Sequence, residues 1–393
     1  MDAYYLRTVP RILEYCGNGA NPVWDCEFVV GGSGRGRRFS FAQNEELRSL
    51  LQSGTDVYRS LWSRRSSIFF LDLEFKNVCD ADEVYRKGRE IFREVTEPVY
   101  RELSRLLQSL GIAFVTVMTA TGYHFVFKVP FGSQHHARLM SLGNPCPELQ
   151  GQYAHVPRHT HRRRAVPPEC GLAFDGMGRL AEFLVKNLAP GTEVPAAAGI
   201  HYERQVLLDL STYADPLHMR FIRCPGSYHQ KSQRRRFATL IRRPAEGSEL
   251  GVEDAYALLG DPGRAAEYIA SAPAAIPDGG FGTGELISRY ASSGLYLRHR
   301  EFDCHRPEAV EREQARSLLR SFSDTELGRD DGLKHAVLSG LRRGIHAKTT
   351  GYLVAERYRL ADWSSPLMAW AAADRDGYNP FSRALFWARY HST

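Results

Sequence analysis

The sequence predicts a mixed α/β (α+β) chain: a catalytic-type core of mixed sheets with flanking helices, followed by an all-helical C-terminal domain. Three observations predict it. Residues 67–75 (SIFFLDLEF), 112–118 (IAFVTVM) and 123–129 (YHFVFKV) are short aromatic and β-branched runs, as strands require. Between the first two lies a stretch rich in Arg, Glu and Leu, which reads as a long helix over about 81–110, stopped by Gly111. From about residue 284 the apolar residues recur at helical spacing, best at 308–321, 331–343, 351–359 and 366–374.

The elements follow in order. RFSF (38–41) reads as a short strand, and VGGSGRGR (30–37) before it as a glycine-rich turn; without a GK[ST] ending it is not a phosphate loop. Pro98 inside the 81–110 helix predicts a kink or break. Thr119–Gly122 joins the next two strands as a tight turn. Residues 141–175 carry Pro, Gly, Arg and His with little periodicity and read as an inserted basic loop. A helix resumes at 177–188, and strands are expected at 204–209, 218–223 and 236–241. The expected organisation is therefore a first domain over 1–245 containing the 141–175 insertion, a linker over 246–283 and a helical domain over 284–393.

Composition bounds the function classes. With 393 residues, 43% hydrophobic and a net charge of +6, the chain is long enough to bury a core and too apolar for a disordered protein. No run of about 18 uncharged apolar residues offers a membrane span, and no apolar stretch follows a basic start. Seven scattered cysteines, an odd number, argue against a disulfide scaffold and for a reducing compartment. A soluble, intracellular protein is expected. Only seven of the 51 basic residues are lysines. The arginines cluster at 162–164, 234–236 and 242–243. Arginine pairs bidentately with phosphate and stacks on bases, although a GC-rich genome yields the same bias.

Chemistry concentrates in three segments. In FFLDLEF, Asp72 and Glu74 alternate on a strand and share a face, so their carboxylates stand about 6–7 Å apart. Set in apolar sequence, unpaired charge there is costly, and a divalent cation would relieve it; an edge strand with a wet face would do so too. The second segment is TATGYH, where Gly122 allows close backbone approach and His124 opens a strand. The third, residues 207–231, carries Asp209, Arg220, Arg223, Ser227, His229 and Lys231. Pro225-Gly226 turns the chain, after which Ser227, His229 and Lys231 alternate. Hydroxyl, imidazole and ammonium donors in such a row suit a triphosphate.

With these residues in hand, the chain resembles the archaeo-eukaryotic primase superfamily, which includes primase small subunits and primase-polymerases. That family carries an acidic pair on a strand, a small-residue-then-histidine turn, and a downstream aspartate followed by R-L-I-R-x-P-x-S-x-H-x-K. Asp72/Glu74, then Thr121, Gly122 and His124, then RFIRCPGSYHQK (220–231) match in order and spacing over about 35–245. Thr121 stands where serine is usual. Asp209 matches the third acidic position, with Asp215 nearby. The resemblance implies an RRM-like catalytic core and a template-dependent nucleotidyltransferase that starts or extends a strand on single-stranded DNA from NTP or dNTP. It further implies that Asp72, Glu74 and Asp209 hold two Mg²⁺ or Mn²⁺ ions. Thr121, Gly122, His124, Arg220, Arg223, Ser227, His229 and Lys231 would receive the nucleotide, with Arg38 touching nucleotide or template. No helicase motif is present, so a helicase or other replication partner would unwind the duplex.

The inserted loop holds Cys146, His155, His159, His161 and Cys170, from which Cys146, His155, His161 and Cys170 could supply a zinc site; a basic loop on template phosphates is the alternative, using Arg158 and Arg162–Arg164. Lys334, Arg342, Arg343 and Lys348 could give the C-terminal helices a role on template, or simply a charged face. Two other functions compete. His159-Thr-His161 resembles the paired histidines of rolling-circle replication endonucleases, but no nucleophilic tyrosine stands out in a helix. A non-catalytic nucleic-acid-binding module with a primase-like fold is the other.

Overall fold

The run SIFFLDLEF lies at the centre of the larger sheet. Strand β4 (Ser66–Asn77) pairs antiparallel on one side with β6 (Gly122–Pro130) and on the other with β8 (Arg204–Leu208). β5 (Val115–Met118) and β10 (Leu240–Arg242) extend the sheet past β6, and β7 (Ala196–Ala197) closes the other edge, in the order β10-β5-β6-β4-β8-β7. β1 (Val29–Gly32), β2 (Phe39–Ala42), β3 (Asp56–Ser60) and β9 (Phe221–Arg223) form a second sheet ordered β2-β1-β3-β9. The computed structural model describes residues 3–17, 26, 29–32, 39–42, 56–61, 63–145, 167–188, 194–197, 202–213, 221–229, 237–242, 250–327, 330–351 and 353. Its contacts divide the chain into two units. One comprises Met1–Leu142, Arg179–Leu210 and Met219–Ile287, and the other Gly143–Gly178, Ser211–His218 and Ser288–Thr393.

In the first unit, α1 (Ala3–Tyr15) buries Tyr4, Tyr5, Thr8, Ile12 and Tyr15, a helical stripe, despite Pro10 inside it. The 81–110 helix is broken: α2 (Glu83–Arg86) and α3 (Gly88–Ile91) run into a π-helical turn over Phe92–Thr96, and α4 (Glu97–Ser109) follows. Ile91, Phe92, Thr96 and Glu97 all keep helical dihedrals, so the chain stays helical through the π turn into Pro98, and the break lies at Lys87 instead. α4 buries Val99, Tyr100, Leu103 and Leu107, and Tyr100 packs its ring on Tyr123 and Phe125 of the sheet. Next come α5 (Gln134–Leu142) and α6 (Pro168–Lys186), of which only the part from Arg179 belongs to the first unit; α6 begins nine residues ahead of the expected start at 177. The segment 246–283 carries two helices, α7 (Val252–Leu259) and α8 (Pro262–Ser271); α8 packs on α1, where Arg11 donates to the carbonyl of Ala270.

α9 (Gly280–Ala291), α10 (Gly294–Cys304), α11 (Ala309–Leu319), α12 (Asp324–Leu327) and α13 (Asp330–Arg342) follow, so the described C-terminal residues are helical, as expected. Ala315, Leu318, Leu319, Leu327, Ala336, Ile345 and Leu353 form a core there. The expected helix 366–374, and 351–359 beyond residue 353, lie outside the described residues. No described helix is long and apolar enough to cross a membrane.

Candidate active site

β4 changes character at Asp72. Ile68 and Phe70 are buried, whereas Asp72, Glu74 and Lys76, on the same face, are only partly covered; Leu73 and Phe75 opposite stay buried. One strand face thus passes from core to open charge within two residues. Register then decides what stands beside it. Asp72 lies directly across from His124 on β6, and Val117 of β5 is across from His124 in turn. On the other side Leu73 pairs with Leu208, and the amide of Asp209 donates to the carbonyl of Asp72 at 2.8 Å. Directly opposed residues point to one face. His124, Asp72 and Asp209, 137 positions from Asp72 in sequence, therefore form one row across three strands.

The next row is Gly122–Glu74–Leu207. A Cβ built on Gly122 would lie 1.9 Å from the carbonyl oxygen of Leu73, so only glycine fits. The preceding turn is pinned by the Phe75 amide donating to the carbonyl of Thr121 at 3.0 Å and the Thr119 amide to that of Gly122 at 2.8 Å. The third segment docks onto this turn: the Ala120 amide donates to His229 Nδ1 at 3.2 Å. With Nδ1 accepting, a neutral His229 carries its proton on Nε2, an atom that is itself buried, the residue being 3% exposed. His229 is further set by paired backbone bonds to Phe237.

Charge on the acid face is partly neutralised from within. Glu74 Oε1 accepts from Lys76 Nζ at 3.0 Å. Burial works against the Lys76 ammonium, but the carboxylates of Glu74, Asp209 and Asp72 outweigh it and raise its pKa. His124 Nε2 stands 3.6 Å from Asp72 Oδ1, beyond hydrogen-bond length but within reach of an ion pair once the ring is protonated. Tyr85 of α2 is nearby; burial first, then the charge of Glu74, raises its pKa and keeps the phenol protonated. Among the described residues, no three Asp, Glu, His or Cys side chains stand as a ready ligand shell for a metal ion. The donor chemistry of Asp72, Glu74 and Asp209, all hard carboxylate oxygens facing one way, fits a divalent cation such as Mg²⁺.

Arg223 and Ser227 point inward. Arg223 donates to Asp56 Oδ2 at 2.7 Å and to the carbonyl of Tyr228, and lies over the Tyr58 ring at 4.6 Å. Ser227 is fully buried and donates to the carbonyl of Cys224 at 2.8 Å, while Thr239 donates to the Ser227 carbonyl at 2.6 Å. Both side chains build the turn that presents His229. Helix α1 braces that turn, which sequence reasoning missed: Tyr4 stacks on Tyr228 at 4.4 Å, Tyr5 meets it edge-on, and Thr8 donates to the carbonyl of Gly226, whose φ of +82° suits glycine. The Tyr-Tyr pair ahead of Thr8 and Ile12 is a helical stripe that Pro10 masks.

Arg38, Arg220, Lys231 and Asp215 lie outside the described residues, as do Cys146, His155, His159 and His161; of the zinc candidates only Cys170, in the first turn of α6, is described. In the second unit, Lys348 is not part of an open basic face: Nζ donates to the carbonyls of Asp303 and His305. Arg342 and Arg343 are exposed.

No family model matches the chain, and no curated protein does. Among solved structures the chain is similar to one described as "Crystal structure of primase RepB'", with 15% identity, 97% of this chain and 98% of that chain covered, and a TM-score of 0.25. A likeness of that size carries no argument for function.

Proposed function

We propose that the chain is a template-dependent nucleotidyltransferase, a primase or primase-polymerase that starts or extends a strand on single-stranded DNA from NTP or dNTP. One observation carries the reading: the three segments that resemble the primase superfamily meet. Asp209 is bonded to Asp72 through the backbone, His124 faces Asp72 across the sheet, and His229 is docked on the turn beside His124.

In this reading Asp72, Glu74 and Asp209 would hold two Mg²⁺ or Mn²⁺ ions, which when bound supply charge stabilisation at the α-phosphate and a more acidic 3′-hydroxyl. The chain's own residues do the rest. His229, fixed through Nδ1, offers Nε2–H to a phosphate oxygen, and His124 offers an imidazole beside the acids. Arg223 and Ser227 position the 225–229 turn, so their contribution is to orientation. Thr121 and Gly122 supply the tight turn that lets a nucleotide approach the sheet. Lys231, Arg220 and Arg38 would complete the basic cradle, and the Arg runs at 162–164 and 234–236 would steer the template strand; Arg242 of the third run is instead buried against Glu97. A zinc site at Cys146, His155, His161 and Cys170, and a helicase partner, remain part of the proposal.

The test is incubation of the full chain with primed and unprimed single-stranded template, Mn²⁺ and labelled NTP or dNTP. We expect template-dependent products that Asp72→Ala abolishes while DNA binding persists. Undiminished synthesis in that variant would falsify the assignment of Asp72. Label transferred covalently to a protein tyrosine would instead point to an endonuclease.

A further inference from the structure

Lys76 is the residue of the acid face that the proposed reaction leaves without a task. It continues the alternation Asp72, Glu74, Lys76 along one face of β4, so its stem runs out over the same side of the sheet as the two carboxylates. Its ammonium turns back onto Glu74 Oε1 at 3.0 Å. Glu74 is mostly covered, with 12% of its side chain exposed, whereas Lys76 is 41% exposed. The carboxylate is thus the enclosed partner and the lysine the one that solvent reaches. Directly across from Lys76 on β8 is Gln205, a neutral residue, so no other charge in that row competes for the amine.

We infer that Lys76 is an internal counter-ion of the cation site: in the metal-free protein its ammonium covers Glu74, and a divalent cation binding Asp72, Glu74 and Asp209 must displace it. The inference rests on the functional reading above and deepens it. The acid face needs positive charge whether or not a metal is bound, because like carboxylates on neighbouring strands repel. A flexible four-carbon stem with a compact charge can supply that charge and withdraw. Metal binding is then an exchange of one cation for another, and the amine contributes stability to the empty state alone.

The experiment measures Mn²⁺ alone, without nucleotide or DNA, by the electron paramagnetic resonance signal of free Mn²⁺ titrated with the full chain. Lys76→Met removes the charge and keeps the stem, and Lys76→Gln serves if that variant does not fold. Displacement predicts that Mn²⁺ binds the variant about fivefold more tightly than the wild type, the size a half-exposed ion pair supports. It also predicts a larger rise in melting temperature on adding Mn²⁺ to the variant than to the wild type. Asp72→Asn should weaken Mn²⁺ binding in both backgrounds, which locates the ion. Unchanged or weaker binding by the Lys76 variants, with the Asp72→Asn loss intact, overturns the counter-ion role and leaves the metal site standing. Absence of binding in wild type and variants, or binding indifferent to Asp72→Asn, overturns the metal reading and this inference together.

Discussion

Two ion pairs in the first unit use the same charges to different ends. Arg223–Asp56 is closed: the side chains are 6% and 4% exposed, and Arg223 also donates to the Tyr228 carbonyl and lies over the Tyr58 ring. Lys76–Glu74 is open, with the lysine side chain 41% exposed. The closed pair shapes the turn behind His229, and nothing can replace either partner without leaving a buried charge. The open pair sits where a solute cation can compete. Between these two pairs residue type therefore says little about which can exchange with a solute cation; enclosure separates them. The sharpest way to break this contrast is Asp56→Ala. It leaves Arg223 buried without its counter-charge, and we expect a loss of about 3–5 kcal/mol in urea unfolding. A loss under about 1 kcal/mol would place Arg223 with the open, ligand-facing groups, as the sequence pattern first suggested.

A second closed pair extends the rule. Glu97 accepts from Arg242 through both oxygens, and Tyr123 donates to the same carboxylate at 2.9 Å. Burial alone would raise the Glu97 pKa, but the Arg242 bonds, with those of Tyr123 and Arg101, overcome it and hold it below the ordinary 4.5. A depressed carboxylate adds stability that is present above the unfolded value and is lost as pH falls through the folded one. Glu97→Gln should therefore lose about 1.5–3 kcal/mol at neutral pH, the worth of charge-assisted bonds. Its melting temperature should fall less than that of the wild type as pH drops below 4.5. Parallel pH profiles for the two proteins would remove Glu97 from the acid response.

The acid face depends on close approach of strands rather than on a pair. Gly122→Ala puts a methyl group 1.9 Å from the Leu73 carbonyl oxygen, between the two acids of β4. Overpacking of this kind costs about 1–3 kcal/mol. Because the methyl meets backbone atoms of β4, which cannot swing aside as a side chain can, β6 must move away from β4 and take His124 with it. We expect a drop in thermal stability together with weakened Mn²⁺ binding; a stability loss with Mn²⁺ affinity intact would separate the strand spacing from the acid site.

Much of this was legible in the sequence, and for identifiable reasons. The strands at 66–77, 115–118 and 122–130 declare themselves through aromatic and β-branched runs, and the acids, the Gly122 turn and His229 through their spacing. What the pattern could not carry was orientation. Arg223 and Ser227 alternate with outward candidates in sequence, yet a helix from residues 3–15 covers their side of the turn, and that helix was hidden by Pro10. Asp56, the partner of Arg223, lies 167 residues away, and no local signal connects the two. Lys76 followed the acidic pair in plain view, but only an ion pair at 3.0 Å separates a counter-ion from a solvated lysine.

The smallest expected effect tests the open side of the contrast. Without metal, Lys76→Met removes a pair whose lysine side chain is 41% exposed, where side-chain entropy and solvent screening offset most of the Coulomb attraction. We expect a loss below about 1 kcal/mol in urea unfolding in the presence of a chelator, against the several expected for Asp56→Ala. The loss should shrink at high salt, because added ions screen a half-exposed pair and scarcely reach an enclosed one. A Lys76→Met penalty as large as that of Asp56→Ala, and equally indifferent to salt, would mean that Lys76 is locked into the fold. The amine could then not make way for a cation, and enclosure would cease to distinguish the two pairs.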